Sequence, residues 1–226
     1  MIKQVLPRSC RGVRRGERLT NYARARRADQ DYDAFTLIEL IVVVGIIVVL
    51  AGLVLSTAGY ARKKSARARA ETEIAAISAA CENYKADNAV YPLGNADLGN
   101  STPYDTDTLD PVNDVNPAAT PIPNVYTKAS LYLYKVLMGD TDADGGSDGK
   151  VYMVLRPNQM LRADMSQPPS NSNRVLGICD PFGNSYGYST KKASDPSANG
   201  YNPTFDLWST AAGSTSNDIP KWIKNW

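Results

Sequence analysis

Residues 35–60, FTLIELIVVVGIIVVLAGLVLSTAGY, are apolar almost throughout, and Glu39 and Tyr60 are the ionisable side chains among them. A helix needs about 20 consecutive apolar residues to cross the hydrocarbon layer, so this run predicts a membrane span. Glu39 is its anomaly. A carboxylate in lipid must stay protonated, reach the interface or meet a cation. A free α-amino group on Phe35, created by a cut between Ala34 and Phe35, would supply that cation from the same chain or from a neighbour.

Charge gives the span a direction. Residues 1–34 carry nine Lys/Arg and four acids, a net of +5, which leaves −3 for residues 35–226 of a chain whose total is +2. By the positive-inside rule the leader is cytoplasmic and the C-terminal part lies outside. The basic excess is thus a property of the leader, and no nucleic-acid partner is expected from it. Arg62, Lys63, Lys64, Arg67 and Arg69 oppose this pattern weakly. That belt faces either acidic neighbours or phospholipid headgroups, or is simply a solvated face beyond the membrane. A mean hydropathy of −0.33 over 226 residues leaves room for one anchor and one modest exterior domain.

Helical spacing continues past the span. Ala70, Ile74, Ile77, Cys81 and Tyr84 follow steps of four, three, four and three and share one face, while Arg67, Arg69, Glu71, Glu73 and Glu82 stay wet. A helix from about Thr36 to Asp87 follows, ending before the Tyr91-Pro92-Leu93-Gly94 punctuation. Gly45, Gly52 and Gly59 recur every seven residues, as a close-contact face or as tolerated membrane glycines. Residues 95–124 read as a polar loop. Residues 129–138, ASLYLYKVLM, read as a short helix, although their aromatics also permit a strand, and residues 150–155, KVYMVL, alternate like a strand.

The run Ala34-Phe35-Thr36-Leu37-Ile38-Glu39 with the aliphatic segment behind it resembles the processing motif of type IV pilins and type II secretion pseudopilins. The resemblance implies that a membrane-embedded prepilin peptidase cuts before Phe35 and methylates the new amine, and that Glu39 positions the subunit during assembly. The family usually has Gly where this chain has Ala34. Asp180-Pro-Phe-Gly-Asn-Ser-Tyr and Phe205-Asp206-Leu207-Trp208-Ser209 resemble segments of the major pseudopilins. The implied fold is α+β and pilin-like, a long N-terminal membrane and spine helix packed on a small antiparallel β-sheet. The divisions are then a removed leader (1–34), a transmembrane helix (35–60), a helical spine (61–90) and an extracytoplasmic domain (91–226). The implied setting is the bacterial inner membrane, crossed once, with identical and minor pseudopilins and an inner-membrane assembly platform as partners.

Two places suggest calcium. Asp140, Asp142, Asp144 and Asp148 fall at the first, third, fifth and ninth positions of a calcium loop, but Val151 stands at the twelfth, where the full pattern needs Glu. The other reading of that stretch is an acidic turn. The resemblance implies a second site at the C-terminal loop, for which Leu207 (by its carbonyl), Ser209 and Asp218 are the positions to compare, with Asp206 in reserve. Phe182, Tyr186, Tyr188, Phe205 and Trp208 read as core, and Trp222 and Trp226 as the cap of that end.

Cys81 and Cys179 remain once Cys10 leaves with the leader. They form either a disulfide, permitted by an oxidising exterior, or two buried thiols. The absence of His removes histidine triads and histidine metal sites, and no Walker loop, CxxC or GxSxG run occurs. The expected role is structural, as a secretion pseudopilus subunit. A surface pilus or DNA-uptake subunit and a membrane-tethered domain that never polymerises are the alternatives.

Overall fold

The computed structural model describes residues 35–94 and 106–226. The leader, Ala34 and Cys10 included, and residues 95–105 of the polar loop lie outside the described residues. A helix, α1 (Leu37–Asn88), runs for 52 residues, within one residue of the expected bounds. The chain divides between Val49 and Leu50 into two units.

In the first unit, α1 begins with Thr36 as its N-terminal flank, and every side chain from Phe35 to Val49 is exposed. α1 is, among the described residues, the one helix long and apolar enough to cross a membrane, and none of its most apolar window is buried in protein.

In the second unit α1 has a buried face. Ala70, Ile74, Ile77, Ala80 and Cys81 are buried, and Tyr84 packs beside them, as the spacing requires. Fully burying an aliphatic side chain contributes about 1.5–3 kcal/mol. The exposed pair Arg67–Glu71 (3.4 Å) contributes only about 0.3–0.5 kcal/mol, while Glu73, expected to stay wet, is half-buried, pairing with Arg69 (3.6 Å) and accepting from Tyr186 Oη (2.8 Å). Burial therefore decides which way this half of α1 faces.

The second helix, α2 (Val125–Met138), lies against the sheet strands, with eleven of its fourteen residues buried. Its ends decide between helix and strand. The Asn124 side chain accepts from Thr127 N at 2.9 Å, and Gly139 closes the helix in the left-handed region at φ 67°. A Cβ at Gly139 would meet the Lys150 carbonyl at 2.7 Å, so glycine is required there on two counts.

The strands are short and antiparallel. β1 (Met160–Arg162) pairs with β2 (Val175–Ile178), while β3 (Gly187–Ser189), β4 (Asp206–Ser209) and β5 (Ile223–Lys224) form a second sheet in that order. A four-residue helix, α3 (Lys191–Ser194), follows β3. The fold is thus a long N-terminal apolar helix packed, through its second half, against a small antiparallel β-structure, the pilin-like α+β arrangement.

Residues 150–155 do not form the expected strand. Tyr152 N and Met153 N both donate to the Leu137 carbonyl, at 2.8 and 3.1 Å. A helix C-terminus leaves its last carbonyls open, and here the end of α2 takes the donors that a neighbouring strand would otherwise have received.

The aromatic residues are core, as the sequence suggested, but they divide between two clusters, and Trp222, expected as a cap, is buried in the second. Tyr186, Tyr188 and Phe205 join α1 and α2 in the larger one, with half-buried Phe182 at its edge. Trp208 stacks on Trp222 at 5.8 Å and meets Tyr126 edge-on at 5.7 Å in the smaller. Trp208 also lies against the backbone of Gly187, where an added Cβ would sit 2.2 Å from its ring.

Candidate functional site

At the start of α1, Thr36 and Glu39 hold each other. Glu39 N donates to Thr36 Oγ1 at 3.3 Å, and Glu39 Oε2 accepts from Thr36 Oγ1 at 3.3 Å and from Thr36 N at 3.5 Å. This reciprocal arrangement is a capping box, which the T-x-x-E spacing of Thr36-Leu-Ile-Glu39 encodes. Beyond the charge of Glu39, the T-x-x-E pattern ahead of an apolar run is the sequence signal for this cap, because the first helical turn leaves its donors open. The carboxylate lies four residues along the chain from Phe35, oriented by its own helix.

The acidic stretch after α2 folds into a loop around Asp140. That residue is fully buried, and its carboxylate accepts from Tyr134 Oη (2.6 Å), Ala143 N (2.6 Å) and Gly145 N (2.8 Å). Exposed Asp148 accepts from Thr141 N (2.9 Å) and Thr141 Oγ1 (2.6 Å), contacts that hold its carboxyl below the usual range. Carboxylate oxygens of Asp140, Asp142 and Asp148 lie within 4.8 Å of one another. Such a cluster of hard oxygens is able to coordinate a metal ion. Asp144 is not one of that group. Its Oδ1 accepts from Gly146 N at 2.7 Å, closing the turn instead.

The C-terminal positions each have partners within the protein. The Leu207 carbonyl accepts from Asn225 N at 3.1 Å as part of the β-structure. The Ser209 hydroxyl donates to buried Asp180. Asp218 accepts from Thr215 Oγ1 at 2.7 Å and pairs with Lys221 at 3.0 Å, contacts that bring its carboxyl down to about 2. Lys63, Lys64, Arg67 and Lys221 line the groove that holds Asp218, a poor setting for a further cation. The reserve residue Asp206 is buried as well, accepting from Tyr201 N (2.9 Å) and Asn202 N (2.8 Å).

Asp180 explains why its segment reads as a motif. One oxygen accepts from Phe182 N (2.9 Å) and Asn184 N (2.8 Å), and the other accepts from Ser209. Gly183, at φ 90°, completes this tight turn. A single carboxylate thus closes the Asp180–Asn184 turn and ties it to β4.

No disulfide joins Cys81 and Cys179. Both are buried free thiols, the second of the two outcomes that the sequence left open. Cys81 belongs to the core face of α1, and the Cys179 thiol points to the Asp180 carbonyl at 3.4 Å. Burial pushes both thiols up, that of Cys179 to about 12, so neither is a thiolate at neutral pH.

No family model and no solved structure matches the chain. A 72-residue stretch, 32% of the chain, is 39% identical to the type II secretion system core protein G of Escherichia coli (strain K12). The match covers 50% of that protein, so the chain spans about half the length of the curated relative it matches. The likeness is a weak homology to a type II secretion pseudopilin, and it stands beside a pilin-like fold whose described residues include one helix long and apolar enough to span a membrane.

Proposed function

We propose that the chain is a structural subunit of a type II secretion pseudopilus, of the major kind, cut between Ala34 and Phe35 and N-methylated before it polymerises. The observation that carries this reading is the local likeness to the core protein G of a type II secretion system. It is supported by a helix whose first half is exposed and apolar and whose first turn holds one carboxylate. In this reading the prepilin peptidase frees the Phe35 amine, and Glu39 meets that amine or a neighbour's. The paired charges make the burial of Glu39 in lipid tolerable. Residues 61–90 serve as spine, and residues 91–226 lie in the periplasm. Identical and minor pseudopilins and an inner-membrane platform are the partners. The role is architectural, not catalytic.

The acidic loop binds calcium through Asp140, Asp142 and Asp148. Oxygen donors at this spacing suit a hard cation, and Asp140 closes the loop through its hydrogen bonds to Ala143 N and Gly145 N.

The experiment for processing is N-terminal peptide mass spectrometry of the protein extracted from the membrane of its native host. A mature chain beginning at methylated Phe35 is expected. A chain that retains residues 1–34 would leave Glu39 without its amine and overturn the reading.

A further inference from the structure

Tyr60, Lys63, Lys64 and Arg67 follow the i, i+3, i+4, i+7 spacing and occupy one face of α1. Opposite them stand Phe182, residues 210–214, Asp218 and Lys221. The two sides enclose a groove of about 750 Å³, within the range of small-ligand sites, about 300–1,000 Å³. Four cations line it against one carboxylate, Asp218, which Lys221 and Thr215 already engage. Arg67 reaches across to donate to the Lys221 carbonyl at 2.8 Å and also pairs with Glu71. Lys63 and Lys64 are exposed, and among the described residues neither has an ion-pair partner.

A second, independent feature marks the same groove. Thr210, one of its lining residues, is 1% exposed, and its hydroxyl has no hydrogen-bond partner. A buried hydroxyl without a partner is unfavourable, and an anionic oxygen seated deep in the groove against Thr210 would be an acceptor for it. The remaining walls, Tyr60, Phe182, Ala211 and Ala212, are apolar or amphipathic. The groove starts at Tyr60, the residue at which the apolar run of α1 ends, and aromatic side chains of this kind concentrate at membrane interfaces.

We infer that this groove holds the phosphate headgroup of an anionic phospholipid, with Lys63 and Lys64 facing the phosphate and the Tyr60–Ala212 wall beside the glycerol and upper acyl chain. Cations, an unsatisfied donor and an apolar wall at the depth of the headgroups match such an amphiphile in each part. An acidic peptide would use the cations but not the depth. The inference needs only the membrane anchor and is independent of whether the chain enters a filament. Its consequence is a fixed height and rotation of the domain at the membrane surface.

The test uses the full chain reconstituted in phosphatidylcholine bilayers with trace spin-labelled phosphatidylglycerol or spin-labelled phosphatidylcholine. The fraction of each label that the protein immobilises is the readout. A cation about 4 Å from a single phosphate in water contributes a factor of roughly five. The parent chain should therefore prefer phosphatidylglycerol, and the exposed double substitution Lys63→Gln/Lys64→Gln should lower that preference at least about five-fold. Arg62→Gln should leave it unchanged, because Arg62 is exposed on the same turn but does not line the groove. Millimolar inorganic phosphate should not compete. Equal losses for Arg62→Gln and the lysine pair would mean diffuse surface charge and overturn the inference. Displacement by inorganic phosphate would assign the groove to a soluble anion and do the same. Absence of lipid preference, with cross-links from Lys63 or Lys64 to an acidic residue of a second copy, would give the groove to a protein partner and equally refute it.

Discussion

Asp110 is nearly buried and still a carboxylate, because five donors converge on it. Oδ1 accepts from Val112 N and Asn113 N, and Oδ2 accepts from Asn113 Nδ2, Lys191 Nζ and Asn199 Nδ2, all within 2.9–3.1 Å. Burial opposes its ionisation, but the hydrogen bonds from Asn199, Lys191, Val112 and Asn113 outweigh it and hold the carboxyl well below its ordinary value. A depressed folded pKa gives stability that is fully present above the unfolded value near 4 and is lost as pH falls toward the folded one. Asp110→Asn keeps one acceptor but sets an amide N–H₂ or a single carbonyl against the three donors at Oδ2. It should cost about 1.5–3 kcal/mol at pH 7, the range for bonds to a charged group. Denaturant unfolding of the full chain in mild detergent, followed by the fluorescence of Trp208 and Trp222, checks this. The gap between parent and variant should narrow between pH 5 and pH 3. An equal gap at both pH values would show that the charge of Asp110 does not contribute.

Among the elements, the loop after α2 is where pattern and structure part most usefully. Its alternating Asp residues point to four carboxylates, of which Asp140, Asp142 and Asp148 converge while Asp144 closes a turn. The residue that organises the loop, Asp140, does so through Tyr134 of α2 and two backbone amides, contacts that no spacing rule states. Calcium should raise the thermal unfolding midpoint of the full chain in detergent, and Asp142→Asn/Asp148→Asn should abolish the increase, because a ligand of the folded state alone stabilises by mass action. A midpoint indifferent to calcium and chelator would remove calcium from this loop. The long helix was legible because periodicity, alanine content and the Tyr91-Pro92 stop agree. The aromatic core was legible too. Residues 150–155 misled because alternation describes a strand's faces and not its partner, and the open Leu137 carbonyl supplied the partner. The groove at Tyr60, Lys63, Lys64 and Arg67 was visible only as a basic belt, since its other wall comes from residues more than a hundred positions away.

For the whole molecule, the division of labour along α1 separates folding from assembly. Every buried side chain of this helix lies between Ala70 and Cys81, whereas Glu39 bonds only within its own first turn among the described residues. Substituting Glu39 should therefore leave unfolding of the core followed at Trp208 unchanged within about 0.5 kcal/mol, as for a surface change far from any core contact. Two substitutions then separate the carboxylate's two roles. Gln at the third helical position still completes a capping box with Thr36, whereas Leu does not. If Glu39 acts by pairing its charge with an N-terminal amine, Glu39→Gln and Glu39→Leu should both lose filament incorporation, measured by recovery in the sheared or cross-linked filament fraction from the native host. Loss with Leu but not with Gln would mean that capping, not charge, is what assembly requires. Normal incorporation of both would remove Glu39 from assembly and leave α1 as an anchor whose acid serves only the first turn of its own helix.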